Sequence, residues 1–369
     1  MVLWVHLLRA AAALAVMIAH AHQSALEIGI GDYVPDFPIG AAGVDLFFVI
    51  SGFVMVVASA DLFGQRGAPP YFFLRRLARI VPLYWLITGI FVFILFAGRH
   101  HSSSYLSASE VVTSLLFIPH SLPNGAVAPV YGLGWTLNYE MMFYVAFSAV
   151  LFLRPRIAIP MLSVAMLWLA YIVPRYSFGV PISFWANPII VEFVFGMIIG
   201  LARLEGYRMP NWLAVGLVVA ALCWFAASAA TFWLAFNREL SWGLPAAAMI
   251  AGAGLCRTDM LSRNWLARSL IRVGDASYAL YLVHPLAALA PYKAFGWLLP
   301  PASVPYLYAA ALYASSIAAA IVIHLMVERP TTRFLQRRVL TGLAPRRAAA
   351  RFPDTINTEP TRDPRPVRV

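Results

Sequence analysis

The chain has 369 residues, of which 61% are hydrophobic and 12% charged, with mean hydropathy +0.75. A soluble domain carries about a quarter charged residues, so a soluble core is excluded, and no alternating stretches of roughly ten residues mark an outer-membrane barrel. The net charge of +11 is almost all arginine (Lys293 is the single lysine), set in short loops between apolar runs, which excludes a nucleic-acid surface and marks membrane topology instead.

Apolar runs near the length of a bilayer crossing predict an all-α fold, a polytopic bundle of about ten transmembrane helices. They lie near 2–22, 41–60, 80–97, 134–153, 157–173, 185–203, 211–236, 240–256, 275–291 and 303–327. With the N-terminus in the cytoplasm, the inside connections hold Arg66, Arg75, Arg76, Arg79, Arg154, Arg156, Arg203, Arg208, Arg257, Arg263, Arg268 and Arg272, then the Arg-rich stretch from Arg329. The outside connections hold only Arg99, Arg175, Arg238 and Lys293. This asymmetry predicts an even number of spans with both termini cytoplasmic.

In the first span, Arg9 and His20 are eleven residues apart, nearly a whole number of helical turns, so both fall on one face. They are separated by roughly 16 Å along the axis. No positive stretch precedes this segment and Arg9 interrupts it, which argues for a retained span over a cleaved signal. Ionisable residues in lipid are costly and mark a polar route. His20, toward the outer end, is either a general base with a pKa suited to a hydroxyl acceptor or an interfacial histidine bonded to a headgroup. The chemistry requires His20 and the basic side chains below to open into one continuous cavity.

In the second span, Asp45 either sets the tautomer of His20 or caps its helix, while Ser51 and Gly52 allow a close helix approach. At the cytoplasmic start of the third, Arg75, Arg76 and Arg79 are either topology anchors or a phosphate site; Arg76 and Arg79 share a helix face. Residues 98–133 form the longest outside connection, and Val111–Ile118 is too short to cross and reads as a re-entrant or interfacial segment over the site. In the fourth span, Glu140 with Tyr144 one turn below could orient His20 or a sugar hydroxyl, or pair with an arginine. Glu192 is a further buried carboxylate. In the ninth span, Ser277, Tyr281 and His284 share a face, His284 being either a packing or a catalytic histidine. Cys223 and Cys256 are expected outside any disulfide framework, and no metal-spaced set, P-loop or nucleophile elbow occurs. Residues 1–340 read as one transmembrane domain, and 341–369, rich in Arg, Pro and Thr, as a disordered cytoplasmic tail.

Taken together these segments resemble the membrane acyltransferase-3 family. The matching pieces are Leu8-Arg9-Ala10 through His20, Gly43 to Phe53, Arg76 to Pro82, Trp135-Thr136-Leu137 with Glu140 and Phe143-Tyr144, Ser277 to Leu282 with His284, and Glu328-Arg329-Pro330. Leu137 to Glu140 and Arg79 to Trp85 look most like the exopolysaccharide-production acyltransferases. Few residues precede the first span, a departure that points to further cytoplasmic chain before residue 1.

The resemblance implies transfer of an acyl group, commonly acetyl from acetyl-CoA, to a hydroxyl of an extracytoplasmic glycan or its lipid-linked precursor. It implies that His20 and Arg9 are essential, that Arg76 and Arg79 hold CoA, and that Glu140 is the glutamate after the Trp-x-Leu motif. On this view His20 deprotonates the acceptor or transiently carries the acetyl group, and Arg9 stabilises the thioester oxygen. The expected partners are the glycan, membrane lipids and polysaccharide synthesis and export machinery. Two rivals use the same polar path: a transporter or flippase for acyl donors or glycolipids, and an acyltransferase of a small molecule or lipid.

Overall fold

The computed structural model describes residues 3–97, 106–230, 237–257, 265–340 and 345. The tail expected at 341–369 lies almost wholly outside the described residues. Among those described there is no strand; Ser121–Val127 and Met209–Cys256 form isolated bridges. The helices are α1 (Leu3–Glu27), α2 (Gly43–Ala58), α3 (Ala68–Ala97), α4 (Ala108–Leu115), α5 (Trp135–Val150), α6 (Pro155–Tyr171), α7 (Val180–Trp185) and α8 (Val191–Leu204). They continue with α9 (Asn211–Ala230), α10 (Leu244–Leu255), α11 (Trp265–Asp275), α12 (Ser277–Ala288), α13 (Ala290–Phe295), α14 (Pro305–Ile323) and α15 (Arg329–Leu340).

Six helical stretches are long and apolar enough to cross a membrane: Trp4–Glu27, Pro38–Ala58, Ala68–Ala97, Pro155–Arg175, Asn211–Ser228 and Pro305–Arg338. This differs from the ten expected. The segments near 134–153, 185–203, 240–256 and 275–291 fold as the shorter helices α5, α8, α10 and α12. Glycine and proline shorten them. Gly132 and Gly134 belong to a 3-10 turn before α5, Pro188 opens another before α8, a π-turn (Glu239–Gly243) precedes α10, and the chain breaks at Ala276 before α12. Such breaks are tolerated at membrane depth where protein surrounds them.

The third segment starts well before residue 80: α3 takes in Arg75, Arg76 and Arg79 as helical residues. The piece expected to be re-entrant is α4, closed by a capping box between Ser107 and Glu110. It lies against α3, where Tyr84 and Trp85 donate to the carbonyls of Ser114 (3.2 Å) and Leu115 (2.9 Å).

Close backbone contacts fix how the helices run. Gly196 of α8 faces Val49 of α2, and a Cβ there would sit 2.1 Å from the Val49 carbonyl oxygen. Gly200 meets Val56 farther along, so α2 and α8 run parallel. A larger residue would push the two backbones apart. Arg9 and His20 of α1 meet Ser277 and His284 of α12 in the same order, so that pair is also parallel. Three pairs adjacent in sequence run antiparallel: Gly43 and Gly40 lie on Ala12 and Ala15 of α1, Tyr84 and Phe72 of α3 on Gly134 in the turn before α5 and on Phe147 of α5, and Gly252 and Leu255 of α10 on Ala214 of α9 and on Met209 just before it.

Candidate active site

The parallel α1–α12 seam carries polar contacts at both ends. At one end Arg9 donates from Nη2 to Ser277 Oγ at 3.0 Å. This end opens on a cavity of about 100 Å³. Arg76 and Arg79 of α3, one turn apart, line it with Arg9, and Glu140 and Tyr144 of α5 stand opposite. Glu140 accepts hydrogen bonds from Tyr144 and, at 3.3 Å, from Ser51. The Arg76 guanidinium lies over the rings of Phe72 (5.4 Å) and Tyr144 (5.8 Å), which holds its plane. Arg75 turns away from this group and lies over Tyr71 at 5.5 Å. Val44, Ile50, Val54 and Met55 of α2 give the cavity an apolar wall.

Three guanidinium groups thus share the cavity lining with a single carboxylate. An anion, above all a phosphate that accepts two parallel N–H bonds from a planar fork, is the ligand such an excess selects.

His20 does not line this cavity. Tyr281 is in the lining, and its hydroxyl accepts from Thr136 (3.0 Å) and donates to the Leu133 carbonyl (3.1 Å). Phe47 packs edge-on against the Tyr281 ring at 6.3 Å. Beyond Tyr281, one turn along α12, His284 meets His20 at 3.2 Å between ring nitrogens. The cavity expected to reach from the basic side chains to His20 has Arg9, Arg76, Arg79 and Tyr281 in its lining but not His20. Arg9 and His20 stand roughly 16 Å apart along one helix, too far to act on one thioester carbonyl.

Asp45 and Glu140 are not the hydrogen-bond partners of His20. Asp45, fully buried, takes a two-point ion pair from Arg238 (2.9 and 2.7 Å), which also lies over Trp242 at 4.7 Å. Glu192, equally buried, neighbours this pair and packs against the π-turn, where a Cβ on Gly243 would meet it at 3.0 Å. Arg238 was counted above only as a loop charge.

Ser51, singled out for helix packing, is also a partner of Glu140. Thr136 and Tyr278 line the cavity too, and Tyr278 donates to the Ile80 carbonyl at 2.7 Å. Their signal was weak: a hydroxyl on an apolar helix is usually bonded to its own backbone.

A model of an acyltransferase domain (the acyltransferase-3 family) matches residues 2–325. The exopolysaccharide production protein ExoZ of Rhizobium meliloti (strain 1021) is 37% identical over 319 residues, covering 85% of this chain and 96% of that protein. The acyltransferase MdmB of Streptomyces mycarofaciens is 27% identical over 340 residues, covering 83% and 84%. Nodulation protein 10 of Rhizobium leguminosarum bv. viciae is 28% identical over 332 residues, covering 79% and 84%. No solved structure matches the chain. With a family match across nearly its whole length and relatives named as acyltransferases, this membrane protein belongs to the acyltransferase-3 family and is an O-acyltransferase.

Proposed function

We propose that this enzyme moves an acetyl group from cytoplasmic acetyl-CoA to a hydroxyl of an extracytoplasmic glycan, an exopolysaccharide or its lipid-linked precursor. The observation that carries this reading is the cavity in which Arg9, Arg76 and Arg79 outnumber Glu140. It suits the phosphates of a CoA thioester arriving from the inner face. The relative named for exopolysaccharide production supports the class of acceptor.

We read the four short helices as crossings too, ten in all, with both termini cytoplasmic in a bacterial inner membrane. The helix directions support this. First and ninth crossings (α1, α12) run parallel, as do second and sixth (α2, α8), and the first–second, third–fourth and seventh–eighth pairs run antiparallel, each as ten serial crossings require. Arg9, Arg76 and Arg79 then face inward and His20 outward.

His20 acts as the general base. Its unoccupied ring nitrogen takes the proton of the acceptor hydroxyl while that oxygen attacks the thioester carbonyl. The C–S bond breaks, CoA leaves as a thiolate, and the proton returns to the sulfur. Arg9, Arg76 and Arg79 hold the donor, with Glu140 and Tyr144 orienting Arg76. The pantetheine arm is the part slender enough to pass Tyr281, so Tyr281 must turn aside in each cycle. Glu192 and the Asp45–Arg238 pair keep the helix bundle together and take no part in the transfer. Synthesis and export machinery would supply and remove the glycan.

The test is the ester-linked acetyl content of the exported polysaccharide, measured by NMR with the wild-type gene and with His20→Ala. Loss of acetyl groups while the protein remains inserted is expected. Wild-type acetylation would remove His20 from the mechanism. Movement of glycolipid with no change in acetyl content would favour a transporter.

A further inference from the structure

The contacts at the outer end of the seam determine which nitrogen of His20 can act. His284 is 2% exposed, and its Nδ1 lies 3.0 Å from the carbonyl oxygen of Leu280. A carbonyl only accepts, so this Nδ1 carries the ring proton and Nε2 keeps a lone pair. The sequence favours that arrangement. Pro285 has no N–H to give to the Tyr281 carbonyl four residues back, and this second carbonyl also faces the His284 ring.

The lone pair of His284 Nε2 points at His20, 3.2 Å from its Nδ1. The same Nδ1 lies 3.0 Å from the Val16 carbonyl oxygen. Two acceptors meet at one nitrogen, so Nδ1 of His20 is protonated and Nε2 is the ring nitrogen left to receive a proton. On α14, Ser316 donates to the His284 carbonyl at 3.2 Å, which holds this turn of α12 in place.

We propose that His284 is a positioning residue for the transfer, holding His20 in the Nδ1–H tautomer so that Nε2 removes the acceptor's proton. This rests on the reading of His20 as the base. When Nε2 takes the proton, the imidazolium donates from Nδ1 to the neutral Nε2 of His284, and the hydrogen bond becomes charge-assisted. His284 passes nothing onward, because its other nitrogen already donates to a backbone carbonyl. The proton therefore stays on His20 until the leaving thiolate takes it back. A carboxylate in the same place would orient His20 equally well but would leave an unpaired charge in an apolar interior whenever His20 was neutral. A neutral imidazole avoids that cost.

The experiment uses the full chain in lipid nanodiscs, labelled with 15N-histidine, with His20 assigned by subtraction of the His20→Gln spectrum. Nδ1 protonated and Nε2 unprotonated is the expected result; the opposite tautomer overturns the proposal. Kinetics with acetyl-CoA and base-deacetylated polysaccharide from the producing cells give the second readout. His284→Leu should lower kcat by about 10- to 100-fold, as loss of an orienting partner does, with KM for acetyl-CoA within about twofold. His284→Gln, whose side-chain carbonyl can accept from Nδ1–H, should recover most of the loss. Equal rates in the Leu and Gln variants, or a wild-type rate in His284→Leu beside an inactive His20→Ala, would overturn this inference alone. Full activity in His20→Ala would overturn the base assignment itself, and the role given to His284 with it.

Discussion

Two groups of charged side chains lie inside this protein, with opposite balances. Around the cavity, Arg9, Arg76 and Arg79 meet one carboxylate, Glu140, beside open space. Around Arg238, Asp45 takes the two-point ion pair, while Glu192 is buried nearby with neither carboxylate oxygen hydrogen-bonded and the π-turn packed on it. The first group has charge to spare and room for a ligand. In the second, the one guanidinium is already paired within the chain. A buried guanidinium that the chain itself pairs, as Asp45 pairs Arg238, holds helices together; guanidinium groups that outnumber carboxylates beside open space leave a balance for a ligand to complete.

Substitutions can break that contrast. The largest effect belongs to Arg238→Ala, which strands Asp45 and should cost about 3–5 kcal/mol of stability. It should be read as a lower melting temperature of the purified protein, with KM for acetyl-CoA unchanged in the folded fraction. Arg76→Ala should do the reverse. A hydrogen bond to a charged group is worth about 1.5–3 kcal/mol, so KM for acetyl-CoA should rise roughly 10- to 150-fold with little change in melting. A melting change as large as that of Arg238→Ala would show that the cavity arginines are structural and erase the distinction. Ser277→Ala removes the neutral partner of Arg9 and should weaken donor binding by about 0.5–1.5 kcal/mol, measured as KM.

The exposed pair Arg156–Glu205 supplies the lower bound. Hydrogen bonds from Arg156 hold the Glu205 carboxyl below its usual range, yet both groups face solvent. Arg156→Ala should leave melting and KM unchanged within error, since solvent and salt screen such pairs.

Much of this was legible in the residues. The eleven-residue spacing of Arg9 and His20 and the shared face of Ser277, Tyr281 and His284 both describe real stripes, and the two stripes meet each other. That they meet was not legible, because a pairing across 268 positions leaves no local periodicity. The third helix was started too late because arginine is a poor guest in lipid; here aromatic faces and a cavity accommodate it. Arg238 was missed because a single loop charge has no pattern from which a partner 193 positions away could be inferred. That the cavity lining includes Tyr281 and leaves out His20 depends on side-chain rotamers, which no spacing encodes.

The distance in sequence between the two halves of the α1–α12 seam has a consequence for biosynthesis. Arg9 and His20 are translated 268 and 264 positions before their partners. At about 5–20 residues per second, the first helix waits on the order of ten to fifty seconds for them. During that interval a guanidinium sits at the membrane without its final neighbour, so the nascent helix must be sheltered by the insertion machinery or held near the interface. Ribosomes that stall before Ser277 would release chains with neither pairing made, which would expose an uncompensated charge for quality-control proteases to recognise.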